Sequence, residues 1–187
     1  MDDRYIALTN NVLNVNYWGE VLAVELLAHL LSGRPTDDFT RLITRQLMDE
    51  TRHANVTRAL LLDRGTDPIR QGGPEEFTYN RLFTQWRGRS VEEVLLFIGT
   101  NERVATRNFS SLIRVGRHEG DDALVGLYSE ILNDEVKHTH DVFDTVPETA
   151  ANAAAITEAE TDLSGAFSRR YMELGAAYRS AFTRDRR

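Results

Sequence analysis

The sequence predicts an all-α protein: a four-helix bundle made of two helical hairpins, joined by one long crossover and followed by an additional C-terminal helix. Three observations carry this. Apolar residues recur at spacings of three and four almost throughout, and no convincing period-two strand interrupts them. Stop signals fall at hairpin spacing, at Gly33 and Pro35 and again at Gly120, whereas 66–89 is too long and too irregular for a tight turn. Finally, the motif Asp-Glu-x-x-His occurs twice, from Asp49 to His53 and from Asp134 to His138, so the two hairpins repeat in their chemistry.

The first helix is expected over 5–31, opening at Tyr5 or Asn11 and stopped by Gly33 and Pro35. Thr36 or Asp37 caps a second, over 36–64, which ends before Gly65. In the crossover, Gly72-Gly73-Pro74 breaks the helical pattern ahead of an aromatic-rich piece containing Phe77, Tyr79, Phe83 and Trp86. Ser90-Val91-Glu92-Glu93 is a capping box and opens a third helix over 90–117. Asp121-Asp122 caps a fourth over 121–146, closed by Pro147. The tail, over about 152–184, places Ile156, Leu163, Phe167, Tyr171, Leu174, Tyr178 and Phe182 at intervals of three, four and seven, which predicts a fifth amphipathic helix.

At 187 residues the chain is expected to form a single domain over 1–187, long enough to bury a proper core. Its 41% apolar and 27% charged content is that of a globular protein, which argues against disorder. No apolar run reaches the roughly 18 residues that span a bilayer, and Met1-Asp2-Asp3-Arg4 opens no signal peptide, so a cytoplasmic, membrane-free protein is expected. Cysteine is absent, which excludes disulfides, thiolate-held clusters and a thiol nucleophile. A net charge of −7 argues against a general nucleic-acid binder. Lys137 is the only lysine among 22 basic residues, a bias that we read as genome composition rather than function.

Glu and His three residues apart lie about 60° apart on a helix and one turn along, side by side on one face. Two such pairs can hold two metal ions. Each is preceded by a carboxylate at about the length of one hairpin: Glu102 stands 33 residues before Glu135, and Glu20 stands 30 before Glu50. Glu25 competes with Glu20, but five residues turn a helix by about 500°, so the two point roughly 140° apart. Glu20 shares its face with Tyr17, Val24, Leu27 and Leu31, a stripe that reads as buried, and is chosen.

The expected ligands are therefore Glu20, Glu50, His53, Glu102, Glu135 and His138. Four carboxylates balance the four charges of two divalent ions, with neutral imidazoles completing the set. Mixed oxygen and nitrogen ligands suit iron, or manganese, better than calcium or magnesium. Metal-bound histidines donate their second N–H to a carboxylate or carbonyl. Asp49 and Asp134 are placed to accept it, each from the histidine across the bundle.

With those residues in view, the pattern resembles the ferritin-like di-iron carboxylate superfamily over roughly residues 11 to 146. Met48-Asp49-Glu50-Thr51-Arg52-His53-Ala54 and Leu132-Asn133-Asp134-Glu135-Val136-Lys137-His138 are especially similar to helices of bacterioferritins and rubrerythrins. The resemblance implies that Glu20 and Glu102 are terminal ligands, Glu50 and Glu135 bridging ones, and His53 and His138 terminal nitrogen ligands, one per iron. Two departures narrow it. Bacterioferritins carry a haem-ligating Met where this chain has Thr51. Rubrerythrins carry a further Glu near the third-helix ligand, where Gly99 and Ala105 flank Glu102 here, and often a cysteine-rich domain. The tail is also longer than the short fifth helix that closes a storage cage.

Several residues stay outside this scheme. His29, His118 and His140 match no ligand position: His118 is expected in an exposed loop, and His140, about 200° around from His138, faces away. Thr57 and Thr106 lie four residues after His53 and Glu102, and are read as core-edge residues in preference to a role in proton handling. Tyr17, Trp18, Phe97, Phe109 and Tyr128 are read as core ahead of pocket lining. Arg169-Arg170, Arg179 and the Arg184 to Arg187 run are read as a solvated helix end.

The expected function is a non-haem di-iron oxidoreductase that uses O2 as co-substrate to hydroxylate, desaturate or otherwise oxidise a small organic substrate. The alternative is a ferroxidase that stores iron in a cage. Expected partners are the small-molecule substrate, a separate electron donor or reductase, and a second copy of the chain in a homodimer.

Overall fold

In the computed structural model the helical periodicity becomes seven α-helices, with no strand, among the described residues 2–68, 74–164 and 169–179. They are α1 (Asp3–Ser32), α2 (Asp37–Asp63), α3 (Pro74–Trp86), α4 (Val91–Glu119), α5 (Asp122–Thr145), α6 (Ala150–Ser164) and α7 (Arg169–Ala177). The four long helices α1, α2, α4 and α5 are the bundle. α1 packs on α2 and α4 on α5 as two hairpins, and α2 also packs against α5.

The local signals that start and stop these helices work as side-chain chemistry requires. Ser90 Oγ accepts from Glu93 N at 3.3 Å while Ser90 N donates to Glu93 Oε2 at 3.1 Å, a complete capping box at the start of α4. We expect Ser90→Ala to cost about 1 kcal/mol, read as a lower urea midpoint with an unchanged slope; no measurable shift would mean that the box adds nothing. Gly120 ends α4 in the left-handed conformation at φ 71°, where a residue with a Cβ is strained. Thr36 sits at the N-cap of α2 but makes no side-chain capping bond.

Two expectations are corrected. The crossover is not merely irregular: Pro74 opens the helix α3. The Gly-Gly-Pro break reads as a stop, but proline's fixed φ and missing N–H also suit it to the first turn of a helix. Tyr79, Phe83 and Trp86 then fall at helical spacing. Of the expected tail helix the described residues form α6 and α7, which is no correction, since 165–168 between them lie outside the described residues, as do 180–187, so that Phe167, Phe182, the Arg184 to Arg187 run and the Gly72-Gly73 pair are not described. His118 closes the last turn of α4 instead of lying in a loop, though it is exposed as expected.

The apolar core is split in two. One cluster joins the second half of α1 (Leu22, Leu26, Leu27), the start of α4 (Leu95 to Ile98), α3 and α6. Within it Trp86 stacks on Phe97 at 4.9 Å between ring centres and donates from Nε1 to Asp162 Oδ2 at 3.0 Å, which fastens α3 to α4 and α6. The other cluster joins the first half of α1 (Val12, Leu13), the end of α2, Phe109, Leu112, Tyr128 and Leu174 of α7. Phe97 and Tyr128 are thus core residues. Between the clusters, at mid-height, the bundle turns polar. At that level a Cβ on Gly99 would meet Val142 Cγ1 at 3.0 Å, so α4 and α5 approach closely one turn before Glu102.

Candidate metal centre

The polar layer consists of the six side chains singled out by the spacing argument. α1 supplies Glu20, α2 Glu50 and His53, α4 Glu102, and α5 Glu135 and His138; all six are buried. Glu25 is exposed, one face away. The chain places them together because each lies near the middle of a long helix, on the stripe that continues into apolar residues above and below.

They form two overlapping groups, Glu20, Glu50, His53 and Glu135, and Glu50, Glu102, Glu135 and His138. Within each, one ligand atom per residue lies within 4.8 Å of all the others, a geometry that can hold a metal ion. Both imidazoles point Nδ1 inward. His53 Nδ1 is 3.1 Å from Glu50 Oε2 and 3.5 Å from Glu135 Oε1. His138 Nδ1 is 3.1 Å from Glu50 Oε1 and 3.7 Å from Glu102 Oε1. Each oxygen of Glu50 therefore faces one histidine. On the outer side, His138 Nε2 is 3.0 Å from Asp49 Oδ2 and His53 Nε2 is 3.5 Å from Asp134 Oδ2, so each aspartate sits behind the histidine of the facing helix.

Three inward atoms, Glu102 Oε1 and Oε2 and Glu135 Oε2, are buried without a hydrogen-bond partner. A buried polar atom left unmade costs about 1–3 kcal/mol, and several in one layer of a well-packed bundle call for a ligand that satisfies them together. A cation does so. The donor set of oxygen and imidazole nitrogen fits a divalent transition metal.

The model of the ferritin-like domain family matches residues 10–149, which cover all six side chains, three of the four bundle helices in full and α1 from residue 10 on. The chain belongs to that family. Among curated proteins none matches this chain, and none does among solved structures. No helix among the described residues of this ferritin-like protein is long and apolar enough to cross a membrane.

Beside the carboxylates the ferritin-like bundle holds a cavity of about 60 Å³, on the side where α1 faces α4. Glu20, Glu50, Glu102 and Glu135 form its floor, and Tyr79 and Phe83 of α3 and Tyr171 of α7 wall it. Phe109 reaches it as well as the core. The sequence reading missed Tyr79, Tyr171 and the amides Asn16, Asn101 and Asn108 that also border the cavity. Of these, Asn101 carried a signal, since it adjoins Glu102. Tyr171 Oη donates to Asn16 Oδ1 at 2.6 Å, and Asn16 donates to Tyr128 Oη, so α7 is tied to α1 at the cavity wall. Thr106 Oγ1 donates to the Arg103 carbonyl at 2.9 Å, and Thr57 Oγ1 is buried without a partner. His140 is exposed and His29 half-buried, both away from the cluster.

Without metal, this layer has unusual proton affinities. Burial, then the charges of Glu50 and Glu135, pushes Glu20 well above the usual carboxylate range. Burial, then the charges of Glu135 and Glu50, does the same to Glu102. Burial and the Glu50 charge push Glu135 up to about 7. Glu50 goes the other way: burial alone would raise it, but the contacts from His138 and His53 outweigh burial and hold it low. Burial works against the charged form of His53, yet its contacts with Glu135 and Glu50 lift it to about 11; His138 is lifted likewise by Glu50 despite burial.

For Glu20, Glu102 and Glu135 the folded value exceeds the unfolded one, so their contribution is best below the ordinary 4.5 and worsens as pH rises through the folded value. His53 contributes stability below 6.5 that is lost as pH rises toward about 11, and His138, whose folded value is also raised, contributes in the same sense. Glu50 opposes them only under acid, below its ordinary 4.5. The metal-free protein should therefore have a higher urea midpoint at about pH 5.5 than at about pH 8.5, and excess divalent metal, which displaces these protons, should invert that order. A midpoint that rises with pH in the metal-free protein would contradict the assignment.

Proposed function

We propose that this ferritin-like protein is a non-haem di-iron oxidoreductase that activates O2 to oxidise a small organic substrate. The observation that carries the reading is the cavity: it opens directly onto the four carboxylates and is walled by aromatic and amide side chains. A site that only oxidised and passed on iron would need no such organic-lined space. The small volume favours a compact substrate, and the four carboxylates, with no cationic side chain lining the cavity among the described residues, disfavour an anionic one.

Glu20, Glu50, His53, Glu102, Glu135 and His138 would hold two ferrous ions, or manganese, and the bound pair supplies the electrons and open coordination positions that O2 reduction requires. Glu50, with one oxygen toward each histidine, and Glu135, common to both groups, are positioned to join the two halves. Asp49 fixes the tautomer of His138 by accepting from Nε2, which leaves Nδ1 free to face a metal. Apolar clusters above and below exclude bulk water from the layer. The chain has no cysteine for an electron-transfer cluster of its own, so a separate reductase is the donor in this reading.

The test is to load the metal-free protein with increasing ferrous iron, admit O2, and count the iron oxidised and retained per chain. An enzyme of this type saturates at about two per chain. Continued uptake into a large multi-subunit shell would replace this reading with iron storage.

A further inference from the structure

The two halves of the centre differ in what stands behind their histidines. Behind His138, Asp49 offers Oδ2 at 3.0 Å, while its other oxygen lies 3.5 Å from Arg52 Nη2. Behind His53, Asp134 Oδ2 is 3.5 Å away and is already gripped by Arg52. Lys137 Nζ holds the other Asp134 oxygen at 2.9 Å. Arg52 Nη2 itself lies 3.3 Å from His53 Nε2. The repeated motif thus conceals an asymmetry: α2 carries Arg52 before its histidine and α5 carries Lys137 before its own, but both cations converge on Asp134.

This bears on how strongly each histidine can hold a metal. A carboxylate that accepts an imidazole N–H makes that ring a better metal ligand. Asp49 meets His138 at 3.0 Å with Arg52 standing 3.5 Å from its other oxygen, whereas Asp134 is 3.5 Å from His53 and divides its charge between a guanidinium and an ammonium in close contact with it. Arg52 has only donors and cannot accept the N–H in its place.

We propose that Arg52 and Lys137 make the two metal positions unequal, the position built on Glu102 and His138 binding a divalent ion tightly and the one built on Glu20 and His53 binding it weakly. Arg52 and Lys137 are positioning residues, acting through Asp134. The proposal rests on the di-metal reading above. It implies that the positions fill in order, so that metal supply sets the fraction of chains holding a complete pair.

The experiment is a calorimetric titration of metal-free, full-length protein with Co²⁺ in the absence of O2. Two steps are expected, with dissociation constants at least about tenfold apart. His53→Ala should remove the weak step and keep the tight one, and His138→Ala should remove the tight one. Arg52→Gln and, separately, Lys137→Gln should strengthen the second step and narrow the gap, while Arg52→Lys preserves it. Lys137 is exposed, so its variant tests the point even if Arg52→Gln folds poorly. Two equal steps in the unaltered protein, or a tight step lost in His53→Ala and kept in His138→Ala, would overturn this proposal alone. No bound cobalt at all would overturn the di-metal reading and this proposal with it.

Discussion

Glu50→Ala should leave the protein unable to hold a pair of metal ions, with fewer than about one ion per chain after reconstitution, while far-ultraviolet dichroism stays helical. The reason is geometric. Glu50 Oε2 faces His53 Nδ1 and Glu50 Oε1 faces His138 Nδ1, each at 3.1 Å, and Glu50 and Glu135 are the residues common to both ligand groups. Removing Glu50 takes an anionic ligand from both positions at once. It also leaves three carboxylates to offset four charges in a buried layer. Glu102→Ala, which touches only the group with His138, should likewise prevent a stable pair. The helices persist because their packing comes from the apolar clusters on either side, which neither substitution reaches. Two tightly bound ions retained in both variants would show that other residues hold the metal.

Asp121→Ala should destabilise the fold by about 3–5 kcal/mol, the largest stability loss expected from one polar substitution here. Asp121 caps α5 by accepting from Leu124 N at 3.1 Å and accepts from Tyr5 Oη of α1 at 2.7 Å. It also pairs with Arg64 just after α2, and its own N–H donates to the Gly116 carbonyl of α4 at 2.8 Å. One residue thus connects all four bundle helices at the end farthest from α3, its carboxylate reaching α1, α2 and α5 and its backbone N–H reaching α4. Arg64 also donates to Thr9 Oγ1 and Asn10 Oδ1, but these are neutral, and without Asp121 a charge whose side chain is only 8% exposed loses its counter-ion. At about 2–4 °C per kcal/mol for a chain of this size, the melting temperature should fall by roughly 10 °C, and metal stoichiometry below that temperature should not change. A loss under about 1 kcal/mol would mean that water replaces the carboxylate. The double variant Asp121→Leu with Arg64→Met should recover much of the loss, because burying neither charge costs less than burying one.

Much of the centre was legible in the sequence because its geometry is largely local. Glu50 with His53 and Glu135 with His138 share a helix face by the helix's own pitch. Glu20 and Glu102 follow from hairpin length and from a stripe of neighbours that continues into the core. The choice of Glu20 over Glu25 needed the turn angle together with that stripe; Glu20 is buried and Glu25 exposed. The helix α3 was hidden because Gly72-Gly73-Pro74 carries two meanings, and only the packing of Phe83 and Trp86 on Phe97 selects the helical one.

By itself, the sequence determined the all-helical bundle, its hairpin division and the faces that carry the acidic and histidine residues, because periodicity, caps and breakers act within a few residues along the chain. Tertiary structure alone decided that Tyr79 and Tyr171 wall a cavity over the carboxylates, that Asp121 joins four helices, and that Arg52 and Lys137 both hold Asp134 while Asp49 meets His138. Those contacts cross between helices far apart in sequence. Their partners are set by how the helices pack against one another, which no spacing within a single helix records.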